Sequence, residues 1–357
     1  MLQWISLVLL FVGSIRFVSA DCECGYSYRL DRNSSSREYV FTEATESNFA
    51  RRHEEDIGDD TDWARQAFNL SAQLARGEYG EMFDVRNIGL GSQEEGLVLT
   101  VGSTTVQAMV PVAEIATRRL DMLWGTFRAS IKITDVPGTC TAFFWYLNDT
   151  QEIDMEFLSK DFNASNSSYP VNLVLQSREA ALMGFDAATT GDFKKVYLPF
   201  NPTTEFHEYR IDYLPGEVLF YADGEVLAQM DGPAVPTESG HLVLRHWSNG
   251  NRLWSGGPPT TDAAMEVKYV KAYFNSSSEQ RGQDWAGRCK NAGAPNAVCK
   301  IPAVTRRDIS AGDWFFSEKG NMTNNQTVYG LNGCSQRRIS GSAVWALILA
   351  WAWALML

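Results

Sequence analysis

Apolar and polar residues alternate with a period of two in short runs along most of this chain, and turn-forming residues separate the runs. That period belongs to half-buried β-strands. Leu97–Val101, Gly125–Ile133, Pro170–Gln176, His207–Tyr213 and Glu217–Tyr221 read as strands. Ala222-Asp223-Gly224 is a hairpin turn leading into Glu225–Ala228, and Gly240–His246 and Met265–Phe274 complete the set. Many short strands at this spacing predict an all-β fold, a two-sheet sandwich of the jelly-roll kind. The stretch Asp62–Arg76 carries helical propensity and strand alternation together, and both assignments stay open.

One alternating run carries chemistry. In Gln151-Glu-Ile-Asp-Met-Glu-Phe157, Glu152, Asp154 and Glu156 fall on one face of a strand and Ile153, Met155 and Phe157 on the other. Four residues of strand set the outer α-carbons about 13 Å apart. Glutamates leaning inward close that gap towards the ~5–5.5 Å of a retaining glycosidase. Like charges on one face cannot all ionise freely, so one acid stays protonated near neutrality, with Asp154 hydrogen-bonded to a glutamate between them. The aromatic run Cys140–Leu147 precedes this strand across an Asn148-Asp149-Thr150 turn. Acids beside a wall of rings suit a sugar site, because pyranose C–H faces stack on aromatic faces.

The chain has 357 residues and a formal net charge of −12, which argues against nucleic acid and against a basic membrane-binding patch. The four histidines show no metal-ligand spacing, and no phosphate loop or dinucleotide fingerprint is present. Residues 1–20 read as a signal peptide, with Trp4–Val12 apolar and Val18-Ser19-Ala20 as the cleavage site. At the other end, Ala343–Leu357 is an apolar tail behind a polar spacer and the small residues Asn332, Gly333 and Cys334, the pattern of a GPI-anchor signal over 332–357. Eight sequons, at Asn33, Asn69, Asn148, Asn163, Asn166, Asn275, Asn321 and Asn325, point to the secretory pathway. Six cysteines agree with an oxidising compartment. Cys289 and Cys299 are near enough to close a small loop, and one of Cys22 and Cys24 is expected to reach Cys140. Domain boundaries follow: one β-domain over 21–278, a cysteine-containing loop and glycosylated stalk over 279–331, then the anchor signal, in a monomer.

Several motifs, in order, resemble glycoside hydrolase family 16. Glu152-Ile-Asp-Met-Glu156 resembles its E-x-D-x-E signature. Tyr213–Gly224 is similar to its proline-containing hairpin, His207-Glu-Tyr209 to its histidine-x-tyrosine strand, and Gly125-Thr-Phe-Arg128 to a further strand motif. The cysteine-rich start and the Trp247–Pro259 region look like secreted, often anchored fungal members. The resemblance runs from about Trp63 to Phe274. It implies a concanavalin-like jelly roll with a glucan cleft on its concave sheet, and a retaining double displacement. Glu152 would be the nucleophile, Asp154 its helper and Glu156 the acid/base. Trp145, Trp247 and Trp254 are the implied stacking residues, and Arg128, His246 and Asn249 the implied hydroxyl contacts. No cofactor is implied; some members hold a calcium on the convex side, for which no ligand set is readable here.

The signature is the unbulged five-residue form, which admits mixed β-1,3/1,4 as well as β-1,3 linkages, and transglycosylation as well as hydrolysis. The expected function is therefore an endo-β-glucanase acting on cell-wall polysaccharide at the cell surface. The alternatives are a wall transglycosylase using the same carboxyls, and a sugar-binding protein without turnover.

Overall fold

The computed structural model describes residues 21–32, 35–52, 62–92 and 95–316. The expected leader, the anchor signal, residues 317–331 of the expected stalk, and Asn33, Asn321 and Asn325 lie outside the described residues.

The described chain is nearly all strand. In order run β1 (Gly25–Arg32), β2 (Ser35–Phe41), β3 (Glu43–Asn48), β4 (Trp63–Arg65), β5 (Phe68–Leu70), β6 (Gly80–Phe83) and β7 (Ile88–Leu90). Then follow β8 (Leu97–Val101), β9 (Met109–Thr117), β10 (Met122–Lys132), β11 (Cys140–Asn148), β12 (Gln151–Leu158), β13 (Pro170–Gln176) and β14 (Phe193–Tyr197). The last are β15 (His207–Leu214), β16 (Glu217–Ala222), β17 (Glu225–Asp231), β18 (His241–Trp247), β19 (Ala263–Ser276) and β20 (Val298–Lys300). Short helices α1 (Arg178–Leu182) and α2 (Ala187–Thr190) lie between β13 and β14, and α3 (Glu279–Arg288) follows β19.

Two large sheets stack as a jelly-roll sandwich. One has nine strands, ordered β14-β13-β12-β11-β18-β9-β6-β5 with β4 also on β9. The other has eight, ordered β17-β16-β15-β10-β19-β8-β7 with β3 also on β19. Inward-facing residues of both make the main core: Phe143, Trp145, Ile153, Met155 and Phe157 from the first, Phe127, Ile131, Tyr209, Ile211 and Phe220 from the second. Each alternates with an outward neighbour, as two-sheet packing requires.

A third layer covers the far side of the eight-stranded sheet. The small sheet β2-β1-β20 packs there through Tyr26 and Phe41, with Ile301 just after β20, against Leu219, Tyr221 and Tyr273. Residues 301–316 belong to this layer: Ile301, Val304, Phe315 and Phe316 are buried, and Lys271 Nζ donates to the Gly312 carbonyl and, at 2.7 Å, to that of Trp314. Residues 301–316, expected as the first part of a stalk, are thus held to the body by four apolar anchors.

Two other readings are settled here. The open stretch Asp62–Arg76 contributes strands: β4 pairs with β9 and β5 with β6. Trp63, 1% exposed, fixes β4 by packing on Phe49 and donating to Ser47 Oγ at 2.9 Å. The disulfides are Cys22–Cys299 and Cys24–Cys289, not Cys289–Cys299, and neither amino-terminal cysteine reaches Cys140. Cys22 lies in the third layer, whereas Cys140 is on the nine-stranded sheet, so the whole sandwich intervenes. A disulfide needs α-carbons within about 7 Å.

Candidate active site

β12 lies inside the nine-stranded sheet, between β11 and β13. Its register places Glu152 beside Tyr146 and Gln176, Asp154 beside Phe144 and Val174, and Glu156 beside Ala142 and Asn172. Ile153, Met155 and Phe157 are fully buried between the sheets. The three carboxyls therefore share the outer face, where Glu152 and Glu156 are half-buried and Asp154 is buried.

Burial dominates their electrostatics. It raises Asp154 well above the carboxylate range, helped by the charges of Glu152 and Glu156 and by its hydrogen bond to Glu152. Asp154 thus holds the proton and donates it to Glu152. Glu152 is itself pushed up to about 8, first by burial, then by the charges of Glu156 and Asp149, although the Asp154 hydrogen bond opposes the rise. Glu156 is also raised by burial, but two donors favour its ionised form. Trp254 Nε1 donates to Oε2 at 3.0 Å and the Cys140 thiol faces Oε1 at 3.5 Å. Burial and Glu156 hold that thiol well above its usual range, so it stays a proton donor.

Beyond β11, Arg245 on β18 sits across Ala142 from Glu156. It pairs with Glu81 and, at 3.6 Å, with Glu114, and its guanidinium lies over Phe83 and Trp247. Its positive charge lowers both Glu152 and Glu156. Next to the carboxyls, Ala116, Ala142, Phe144 and Val243 form a small apolar floor with Tyr146 against it. Two amide oxygens flank the triad: Asn172 Oδ1 beside Glu156 and Gln176 Oε1 beside Glu152 are buried without a hydrogen-bond partner. Buried acceptors left unsatisfied are costly, and a ligand hydroxyl would relieve them.

The expected sugar contacts divide by face. Trp254 reaches Glu156, and Trp247 lies on the same outer face beside Arg245. Trp145 does not face this site: it is fully buried between the sheets, donates to the Met122 carbonyl at 3.1 Å and packs on Tyr213. Arg128 belongs to the eight-stranded sheet, 2% exposed, and donates to the Pro302 carbonyl at 2.7 Å under the third layer. His246 is fully buried, with its ring nitrogens at 2.9 Å from the Leu99 carbonyl and 3.0 Å from Thr139 Oγ1, and burial lowers it to about 4. Asn249 organises a loop, donating to the Ala75 carbonyl and accepting from Ser255 Oγ. Arg128, Trp145, His246 and Asn249 are structural residues here. Asn69, Asn148, Asn163 and Asn166 are exposed, and Asn275 is half-buried, accepting from the Thr42 amide at 3.2 Å.

Arg245, Cys140, Asn172, Gln176 and Tyr146 were missed from the sequence. Period-two parity could have found Arg245, Asn172 and Gln176, once their strands were paired with β11 and β12. Among the described residues, no group of three His, Cys, Asp or Glu side chains is placed to hold a metal ion.

Glycosyl hydrolases family 16 matches residues 92–271, half of the chain. A Paenibacillus polymyxa protein named Beta-glucanase is 29% identical over 139 residues, 37% of this chain and 52% of that protein. Congo red hypersensitive protein 1 of Saccharomyces cerevisiae is 22% identical over 160 residues, 42% of this chain and 29% of that protein. The chain spans about half the length of the bacterial relatives it matches first. Among solved structures, an endo-β-1,3-glucanase from Pyrococcus furiosus superposes with a TM-score of 0.51 at 14% identity, over 70% of this chain and 99% of that one, a likeness of fold. Jelly roll, signature strand and matched span converge: this chain belongs to glycosyl hydrolases family 16.

Proposed function

We propose that this chain cleaves β-glucan within the polymer, at β-1,3 or mixed β-1,3/1,4 linkages, by a retaining double displacement. The observation that carries the reading is the outer face of β12, where Glu152, Asp154 and Glu156 stand together with the proton held on Asp154. In the first step the ionised fraction of Glu152, the minor form below about pH 8, attacks the anomeric carbon while Glu156 gives its proton to the departing oxygen. The bond formed is an ester to Glu152; the bond broken is the glycosidic one. Esterification removes the negative charge that opposes ionisation of Glu156, so Glu156 becomes the better base just when it must take a proton from the incoming hydroxyl. Asp154 steadies the Glu152 carboxylate by hydrogen bonding and receives no part of the sugar. Asn172 and Gln176 offer their unpartnered oxygens to sugar hydroxyls on either side.

The same residues serve transfer to a second sugar as well as hydrolysis, because only the incoming hydroxyl differs. Incubation with laminarin, lichenan, xyloglucan and chitin oligomers, with the anomer of the first product followed by NMR, tests the reading. Release of the β-anomer from a β-glucan supports it, and release of the α-anomer overturns it.

Trp254 supplies a prediction on the acid/base. Hydrogen bonds to a charged group contribute about 1.5–3 kcal/mol. Trp254→Phe removes the 3.0 Å donor that favours ionised Glu156. The pKa of Glu156 should then rise, moving the alkaline limb of kcat/KM up by roughly one unit. A pH–rate profile of the variant checks this.

The two disulfides and the exposed sequons suit a secreted protein, and the apolar end with its small residues suits a GPI anchor facing cell-wall glucan. Among the described residues no helix is long and apolar enough to cross a membrane. Release of the protein from cells by a phosphatidylinositol-specific phospholipase C tests the anchor.

A further inference from the structure

Two loops from opposite edges of the nine-stranded sheet meet above its outer face. The first is the β5–β6 connection, residues 71–79. It is knitted to the loop after β18: Asn249 Nδ2 donates to the Ala75 carbonyl, Asn251 Nδ2 to that of Arg76 at 3.2 Å, and the Tyr79 amide to that of Asn249 at 2.9 Å. Together they form one body. The second is the α1–α2 insertion between β13 and β14. Ala180, Ala187 and Phe193 pack on Val174, the neighbour of Asp154, so the insertion rises from the same face as the triad.

The two walls touch twice. The Arg76 guanidinium lies over the Phe185 ring at 4.2 Å, and the rings of Trp254 and Phe193 are 6.1 Å apart. In the sheet, β6 and β13 are separated by β9, β18, β11 and β12, so the contacts bridge the width of the face. Glu156 lies beneath: Trp254 is hydrogen-bonded to it, and the Arg76 charge favours its ionised form. Arg76 and Phe185 both hold left-handed backbone, φ 57° and 67°, which non-glycine residues adopt uncommonly.

We propose that Arg76 and Phe185 are specificity-determining residues, a clasp that shields the Glu152-linked sugar from bulk water so that a carbohydrate hydroxyl is the favoured acceptor. This rests on the double displacement proposed above and concerns its second step. There the acceptor oxygen bonds to the anomeric carbon, the bond to Glu152 breaks, and the acceptor proton passes to Glu156. Water and a sugar hydroxyl compete for that step. A sugar held along the floor of Phe144 and Tyr146 needs no opening above Glu156, whereas bulk water arriving from above does. An exposed cation–π contact is weak, so it biases this competition by about two- to fivefold and opens readily for the polymer to enter.

The test uses the full chain, a β-glucan donor and a fluorescently labelled glucan oligosaccharide as acceptor, measuring reducing ends released and label incorporated. In the wild type the label should enter polymer. Phe185→Ala should lower the ratio of transfer to hydrolysis about two- to fivefold while donor cleavage stays nearly unchanged. Arg76→Ala should lower it as much and, by removing a charge that favours ionised Glu156, also move the alkaline limb of donor cleavage up. The double variant should match the singles in ratio, and Phe185→Tyr should restore it. Both residues lie in surface loops away from the main core, so the variants should fold. An unchanged ratio in active Arg76→Ala and Phe185→Ala variants overturns the clasp and leaves the double displacement standing. Full activity of Glu152→Gln overturns the double displacement and the clasp with it.

Discussion

Glu152→Gln should lose essentially all glucan cleavage, and Glu156→Gln should lose about 10²- to 10⁴-fold in kcat, the range supplied by a positioned general acid. Both are measured as reducing ends released from soluble β-glucan. The first loss is the larger because no covalent intermediate can form without the carboxylate. The same variants should be more stable than the parent at neutral and alkaline pH. Glu152 has a folded pKa of about 8 against an ordinary value of 4.5, so the native state binds its proton more tightly than the unfolded chain does. Its contribution to stability is complete below about pH 4.5 and is lost as pH rises through about 8. Glutamine carries no charge at any of these pH values and escapes that loss. Urea midpoints of the parent and Glu152→Gln should therefore diverge as pH rises from 5 to 9, the variant lying higher. A variant that is inactive and also less stable across this range would point to a damaged fold instead.

Removing both disulfides should cost far more than removing either. Cys22–Cys299 closes a span of 277 residues and Cys24–Cys289 one of 265, but the two are nested and nearly coincident. With either in place, the other closes only a loop of about a dozen residues. Chain entropy then assigns about 3 kcal/mol to the second bridge and about 5–6 kcal/mol to the first. Loss of one pair to alanine should cost about 3 kcal/mol, and loss of both about 8 kcal/mol, within the whole stability of a typical domain. Denaturant unfolding of the two single-pair variants and the combined one measures this directly. Simple additivity would show that the bridges act independently through native contacts.

The faces of the acidic strand were legible because their signal is local: alternation in Glu152–Phe157 decides its own two faces without knowing any partner. The sheets were legible for the same reason. Which neighbouring residues share the outer face was not, because that depends on register with strands distant in sequence. His246 and Arg245 are adjacent, yet Thr141 opposes the first and Ala142 the second, so one is buried inside and the other lies beside the carboxyls. Trp145 sits opposite Ile153 and shares its inward direction. Arg128 stands in a strand motif of its own, and only topology puts that strand in the other sheet. The disulfides failed for a related reason, since short spacing between Cys289 and Cys299 says nothing about the amino-terminal segment Cys22–Cys24, whose amides donate to the Asn296 and Ala297 carbonyls. Residues 301–316 read as stalk because Ile301, Val304, Phe315 and Phe316 follow no period, and irregular coil packed on a sheet leaves no pattern to detect.

That last segment also lies far from the acids. Phe316, where the described chain ends, is buried in the layer behind the eight-stranded sheet, while β12 presents its acids on the opposite side of the molecule. Both sheets of the sandwich therefore stand between the layer that holds Phe316 and the three acids, so loosening that layer leaves the carboxyls' own packing untouched.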